Sequence, residues 1–222
     1  MGYQLDFGAL LQYLSLFLEG TAVTLGLTAV AATLGILLSI GGAATASGGA
    51  AWGRIVVNSY VELIRNTPFI VQMFFVFFGL PSLGLHLTAL QAAMLAMTIN
   101  LTAYSIEIVR AGIEAVPRGQ REAGLALGLH TMPIFRLVIL PQALANVYPA
   151  LVSQIIITML ESAVVSQISV TDLTYAADFI QSRNFRAFET YLVVTVVYLL
   201  LAIALRRLFA LYGRRFFKGR VP

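Results

Sequence analysis

The sequence predicts an all-α membrane protein with about five transmembrane helices, on three observations. Of its 222 residues, 59% are hydrophobic and only 11% charged, with a mean hydropathy of +0.87. Its apolar stretches reach about 20 residues, the length a helix needs to cross the hydrocarbon core. They also lack the alternating ten-residue pattern of a barrel strand. A soluble domain carries charge at about a quarter of its positions, so this surface has too little polarity to be kept in water.

Five spans follow in order. The first is expected at about Gly20 to Ala46, rich in Thr, Ala and Gly, small residues that let helices approach closely. The second covers about Ile55 to Leu80 and ends at the turn residues of "GLPSLGLHL". The third runs from about Leu87 to Val109, and the fourth from about Ala143 to Val165, with Pro141 at its start. The fifth is "FETYLVVTVVYLLLAIAL", about residues 188 to 205. The opening stretch "MGYQLDFGALLQYL" has no basic flank and no small-residue cleavage site, so it is expected to be retained. The absence of cysteine excludes disulfides and thiolate chemistry.

Lys and Arg set the orientation. The tail "RRLFALYGRRFFKGR" holds six of the fourteen basic residues, which places the C-terminus in the cytoplasm. An odd number of spans then puts the N-terminus outside. Arg54, Arg118, Arg121 and Arg136 fall inside with the tail, and Arg183 and Arg186 fall outside. The net charge of +4 is thus read as topological anchoring at the lipid surface, with no nucleic acid partner.

Between the third and fourth spans lies "AGIEAVPRGQREAGLALGLHTMPIFRLVILPQ", too long for a minimal turn and too regular for a linker. Gln120 to Leu127 has a helical pattern, with Leu125 and Leu129 on one side and Arg121 and Glu122 available to a partner. Gly128 stands where a helix end wants a left-handed residue. Thr131 is expected to cap the next helix, Pro133 suits its first turn, and Pro141 marks another break. Two short helices with a tight elbow make a docking knob.

Charges within spans need a reason, because an ionised side chain at the bilayer centre costs about 2.5–3.5 kcal/mol on insertion scales. Glu62 and Arg65 are three apart and are expected to pair along one helix face, with Pro68 kinking the helix beyond them. Glu107 and Arg110 repeat the spacing. Glu161 differs: it lies deep in the fourth span with no basic neighbour in sequence. Gln154, Thr158 and Glu161 share one helix face, and Ser162 adjoins them. Asn100 and Tyr104 on the third span and Gln72 on the second could complete a polar lining. On one reading this lining is a translocation path in which Glu161 receives an ammonium or guanidinium group. On the other, Glu161 is tied to Arg65 or Arg110, or held protonated. The outer stretch "SVTDLTYAADFIQSRNFRAFE" contains Asp172, Asp178, Arg183 and Arg186, each of which could equally be a solvated charge. His86 and His130 are isolated and lack metal-ligand spacing, so no metal site is expected.

The central loop resembles the EAA loop of type I ABC importer permeases. It reads Glu122, Ala123, Gly124, then Gly128, then Val138, Ile139, Leu140, Pro141. Gly124 stands where the pattern has a second Ala, and Val138 where it has Ile. "ELIRNTPFIVQMFF", "AYSIEIVRAGIEAVPRGQREA" and "VVSQISVTDLTYAADFI" are similar to the polar amino acid subfamily, the histidine, glutamine and glutamate permeases. Relatives commonly have an uncharged stretch near Glu161, so the resemblance does not extend to that residue.

The resemblance implies the MetI-like permease fold as a single transmembrane domain over 1–222, with a coupling loop at about 113–141 and a basic cytoplasmic tail at 206–222. It implies a binding-protein-dependent importer of polar amino acids in the bacterial inner membrane, working by alternating access. The coupling residues would be Glu122, Ala123, Gly124, Gly128, Leu140 and Pro141, lodged in a cleft of a cytoplasmic ATPase dimer. A second permease subunit, identical or related, and a periplasmic or extracellular amino acid-binding protein would complete the assembly; the outer stretch would face that protein. No G-x-x-x-x-G-K-[ST] motif occurs in the chain, so ATP and Mg belong to the partner ATPase, and this subunit is not an enzyme and binds no cofactor. A secondary transporter driven by an ion gradient is the alternative, against which five spans show no internal repeat. An intramembrane hydrolase would find few candidate groups here.

Overall fold

A computed structural model describes residues 4–216. Among them every regular element is helical. A 3-10 turn, Gly8–Tyr13, leads into α1 (Leu14–Gly48). It is followed by α2 (Ala51–Arg65), α3 (Phe69–Ser82), α4 (Ala89–Glu114) and the short α5 (Arg118–Ala126). Then come α6 (Thr131–Ile168), α7 (Leu173–Asn184) and α8 (Ala187–Phe216).

Among the described residues four helices are long and apolar enough to cross a membrane: Gly8–Gly48, α4, α6 and Ala187–Arg215. The broken pair α2 and α3 makes a fifth if counted as one span, which agrees with the expected number. The break falls at Asn66 to Pro68, where the proline has no N–H to continue the helix. The spans are longer than the apolar windows suggest, most of all α6, which begins at Thr131 and not near Ala143. Burial differs sharply between them. The apolar window of α4 is 67% buried and that of α8 only 11%, so α8 turns Leu199, Leu200 and Ile203 outward.

Pro141 was expected to break the chain and does not. The helix widens over Phe135–Ile139 to π geometry and continues through Leu140 and Pro141. The same device precedes Pro81, with a π segment at Phe75–Gly79. In both, "FVFFGLP" and "FRLVILP", the proline stands six residues after the phenylalanine that opens the wide turn. A proline cannot donate to the carbonyl four residues back, and its ring collides with that carbonyl. Longer i→i+5 ladders shift the carbonyls away, so the helix survives.

The described residues group into two compact units. One comprises Met1–Ala32, Pro68–Thr98 and Ile156–Leu205. Its core joins Leu10 and Phe17 with Leu173, Ala177 and Ile180 of α7 and Val194 of α8. The backbone of α1 lies so close to the turn before α7 that a Cβ on Gly20 would stand 2.7 Å from the Asp172 carbonyl oxygen. Thr24 Oγ1 accepts the Leu173 N–H at 3.3 Å, and Asp172 Oδ1 caps α7 by accepting from Tyr175 N at 2.9 Å. Glu189, fully buried, accepts from the Asp6 N–H at 3.1 Å and from Arg186 at 3.0 Å, which ties the N-terminal segment to the start of α8.

The other unit comprises Thr33–Thr67, Ile99–Ile155 and Arg206–Pro222. Ala43, Val109 and Leu151 form its buried cluster, with Ile108, Ile113, Leu144 and Val147 packed against them. Small residues set the helix spacing, because a Cβ on Gly42 would meet Ile106 at 2.6 Å. Tyr60 donates to the Ile99 carbonyl at 2.6 Å and Tyr148 to the Phe209 carbonyl at 2.7 Å, so both hydroxyls are satisfied in an apolar setting. Arg206, Arg207, Arg214 and Arg215 of the basic tail lie on α8; Lys218 and Arg220 fall outside the described residues.

Candidate functional site

The polar stripe predicted on the fourth span lies on one continuous helix. Gln154, Thr158 and Ser162 of α6 are buried, and Glu161 is partly buried. Ser162 donates to the Met159 carbonyl at 2.7 Å as the helix tightens to 3-10 geometry over Ser162–Ile168. Among the described residues Thr158 Oγ1 and Glu161 Oε2 have no hydrogen-bond partner. A carboxylate oxygen enclosed in this way can accept a cationic donor, and leaving it unmatched is costly. Thr158, Glu161 and Ser162 belong to the first unit, as does the half-buried Gln72, whose stretch Phe69–Phe74 packs against Ser162–Ile168.

Asn100 and Tyr104 of α4 belong to the second unit, with Gln154. Asn100 is buried, but Tyr104 is engaged elsewhere: its ring lies under the Arg65 guanidinium, 5.4 Å from carbon to centroid. Arg65 does not pair with Glu62 as the spacing suggested. It reaches from α2 to Glu107 of α4 at 3.3 Å, while Arg110 holds the same Glu107 oxygen at 2.9 Å, the latter pair as expected. The i,i+3 alternative loses because Glu107 offers Arg65 a site already flanked by a cation–π partner, less exposed than the outer face of α2. The two guanidiniums, Glu62, Asn58, Asn66 and Tyr104 line an open cavity of about 450 Å³.

The knob is built as its sequence implies, with one correction. α5 ends in a Schellman motif: the Gly128 N–H bonds the Leu125 carbonyl at 2.9 Å and the Leu129 N–H bonds the Gly124 carbonyl at 3.1 Å. Gly128 has φ +75°, the left-handed value that its place after the helix requires. Gly124 is buried against Ile134, which closes the elbow. The residue capping the next helix is His130, whose side chain makes no cap bond, and Thr131 is the first helical residue. Extended backbone at His130 lets the chain leave the Schellman turn, one position earlier than Thr131. Glu122 and Ala123 are exposed on α5. Leu140 and Pro141 lie just beyond the π segment, and Pro141 with Pro117, Gln120, Leu137 and Gln142 lines a groove of about 430 Å³.

Residues 35–218 match the family described as binding-protein-dependent transport system inner membrane component. The chain belongs to that family. The permease is 33% identical to the arginine transport system permease protein ArtQ of Bacillus subtilis (strain 168), over 90% of this chain and 92% of that one. It is 35% identical to the glutamine transport system permease protein GlnP of Escherichia coli (strain K12), over 91% and 93%. These relatives are transport permeases, not enzymes. Among solved structures, one described as an amino acid ABC transporter with histidines matches at TM-score 0.87 and 39% identity, covering 96% of the permease and 100% of that chain. An inward-facing MetNI methionine ABC transporter matches at TM-score 0.73 and 23% identity over 94% and 98%, a likeness of fold.

Two features of the permease escaped the sequence reading. Asp172, for which a docking face and a solvated outer charge were equally open, is fully buried; burial raises its carboxyl to about 6, and the Tyr175 N–H partly offsets this. The "TDLTY" pattern, an N-cap residue ahead of a helical run, was the available signal. Glu107 as the junction of two arginines had none, because the contact is between helices distant in sequence.

Proposed function

We propose that the chain is the membrane subunit of an ATP-driven ABC importer for polar amino acids. The observation that supports this best is the 39% identity and 0.87 TM-score to an amino acid ABC transporter across nearly the whole length, together with relatives named for arginine and glutamine. The whole chain acts as one permease domain, with 113–141 as the coupling loop and 206–222 as a cytoplasmic tail. The C-terminus is cytoplasmic and the N-terminus external, in the inner membrane.

Two permease subunits, identical or related, enclose the path, and a binding protein delivers the amino acid to it. Glu122, Ala123, Gly124, Gly128, Leu140 and Pro141 couple to an ATPase dimer that holds ATP and Mg; this chain binds neither. Closure of the ATPases shifts the knob, and the rigid Gly124–Ile134 elbow carries that shift into α6. Alternating access follows from two states of the permease pair that the ATPase biases. The substrate path is lined by Gln154, Thr158, Glu161, Ser162, Asn100, Gln72 and the edge of Tyr104. The unmatched oxygen of Glu161 favours cationic or zwitterionic cargo.

Proteoliposomes holding the permease with its ATPase and binding protein test this. Uptake of labelled arginine, histidine or glutamine should require internal-site ATP hydrolysis. Uptake driven by an ion gradient without ATP would overturn the reading.

A further inference from the structure

The cavity between α2 and α4 has a lining that, Tyr104 aside, the path reading leaves unused. Arg65 and Arg110 each place a single contact on one oxygen of Glu107, so most of their N–H donors remain open. Glu62, on the cavity wall, makes no ion pair or side-chain hydrogen bond among the described residues. The lining thus presents two cations, Arg65 and Arg110, meeting at one oxygen of Glu107, together with the carboxylate of Glu62. A phosphate group, doubly anionic, would be opposed by Glu62 and Glu107. A zwitterion carrying one carboxylate and one ammonium matches both halves. The side chains of Arg65, Glu107 and Arg110 are between 27% and 42% exposed, so a solute can enter. The cavity, about 450 Å³, falls within the range of small-molecule sites.

We propose that this cavity is a second amino acid site, which binds the α-carboxylate at Arg65 and Arg110 and the α-ammonium at Glu62. It shares no residue with the Glu161 stripe apart from Tyr104, which here serves as the platform under Arg65. The inference rests on the amino acid importer reading and adds to it: Glu161 discriminates among cargo side chains, whereas this site recognises the backbone that all amino acids share.

The test uses the permease–ATPase complex in nanodiscs, free of nucleotide and binding protein, and equilibrium binding of labelled L-alanine. Wild type should bind it, and Glu62→Gln should weaken that binding about tenfold. Among the described residues the Glu62 side chain has no partner to lose, so this variant does not disturb the Arg65–Glu107–Arg110 cluster. Agmatine, which lacks the carboxylate, should fail to displace the bound alanine, and Arg65→Gln should abolish binding. Equal alanine binding in wild type and Glu62→Gln, no alanine binding to wild type, or a retained phospholipid that Arg65→Gln releases would each overturn the proposal. Should the proteoliposomes transport no amino acid, the importer reading falls; should they transport normally while Glu62→Gln leaves alanine binding unchanged, only the second site falls.

Discussion

Ile134 fills the space that a side chain at position 124 would need, with its Cγ1 2.8 Å from where a Cβ of that residue would stand. Gly124 and Ile134 therefore fix the angle between α5 and the start of α6. Gly124→Val should force this elbow open at about 1–3 kcal/mol. Uptake by proteoliposomes should fall while the ATPase continues to hydrolyse ATP, and the double variant with Ile134→Ala should recover part of the uptake. Full uptake by the single variant would show that the elbow transmits nothing.

Removing the charge at Glu161 leaves its shape and burial nearly unchanged. In Glu161→Gln, transport of arginine should drop about tenfold, as expected for one lost charge-assisted contact. Glutamine transport should change much less. Competition uptake with both labelled substrates reads the ratio directly, and an unchanged ratio would remove Glu161 from cargo selection.

Asp172 gives a pH dependence with a definite sign. Its folded value, about 6, lies above the ordinary 3.8 because burial disfavours the charged form. Between those values the folded chain holds a proton that the unfolded chain has released, so stability falls as pH rises through this window. The penalty is complete above about pH 6 and absent below the unfolded value; it amounts to at most about 3 kcal/mol. Asp172→Asn keeps a capping oxygen for Tyr175 and removes the charge. Thermal unfolding in detergent should show the variant more stable than wild type at pH 8, with the difference shrinking toward pH 4. A constant difference across that range would refute the assignment.

Glu189 ties the N-terminal segment to α8 through Arg186 and the Asp6 N–H. Glu189→Gln retains an acceptor for Asp6 but loses the ion pair, at about 1–3 kcal/mol for so buried a group. Hydrogen exchange should rise over Asp6 to Tyr13 and stay unchanged in α4. Equal rises in both would point to global loosening instead.

What could be read from sequence depended on whether the determining contact was local. The Schellman ending at Gly128 depends on a glycine and its own helix, and it was legible to the residue. Glu107–Arg110, three apart on one helix, was legible too. Arg65 left its helical neighbour Glu62 for Glu107, more than forty positions away, and no periodicity encodes that choice. Asp172 appeared as one charge among four in a polar stretch, because its burial is imposed by Gly20 and Thr24 of a distant helix. Pro141 was misread in the opposite sense: a rule about proline in α-helices was applied where the preceding turn had widened.

That widening determines which way the rest of α6 points. One surplus residue in a turn rotates everything beyond it by about 100° around the axis. Without the loosened coil at Phe135–Ile139, Gln154 and the hydrophilic row after it would be aimed at a different neighbour, though not one of those residues had changed. A one-residue deletion within 135–139 should therefore disable the permease more thoroughly than replacing any single member of the row.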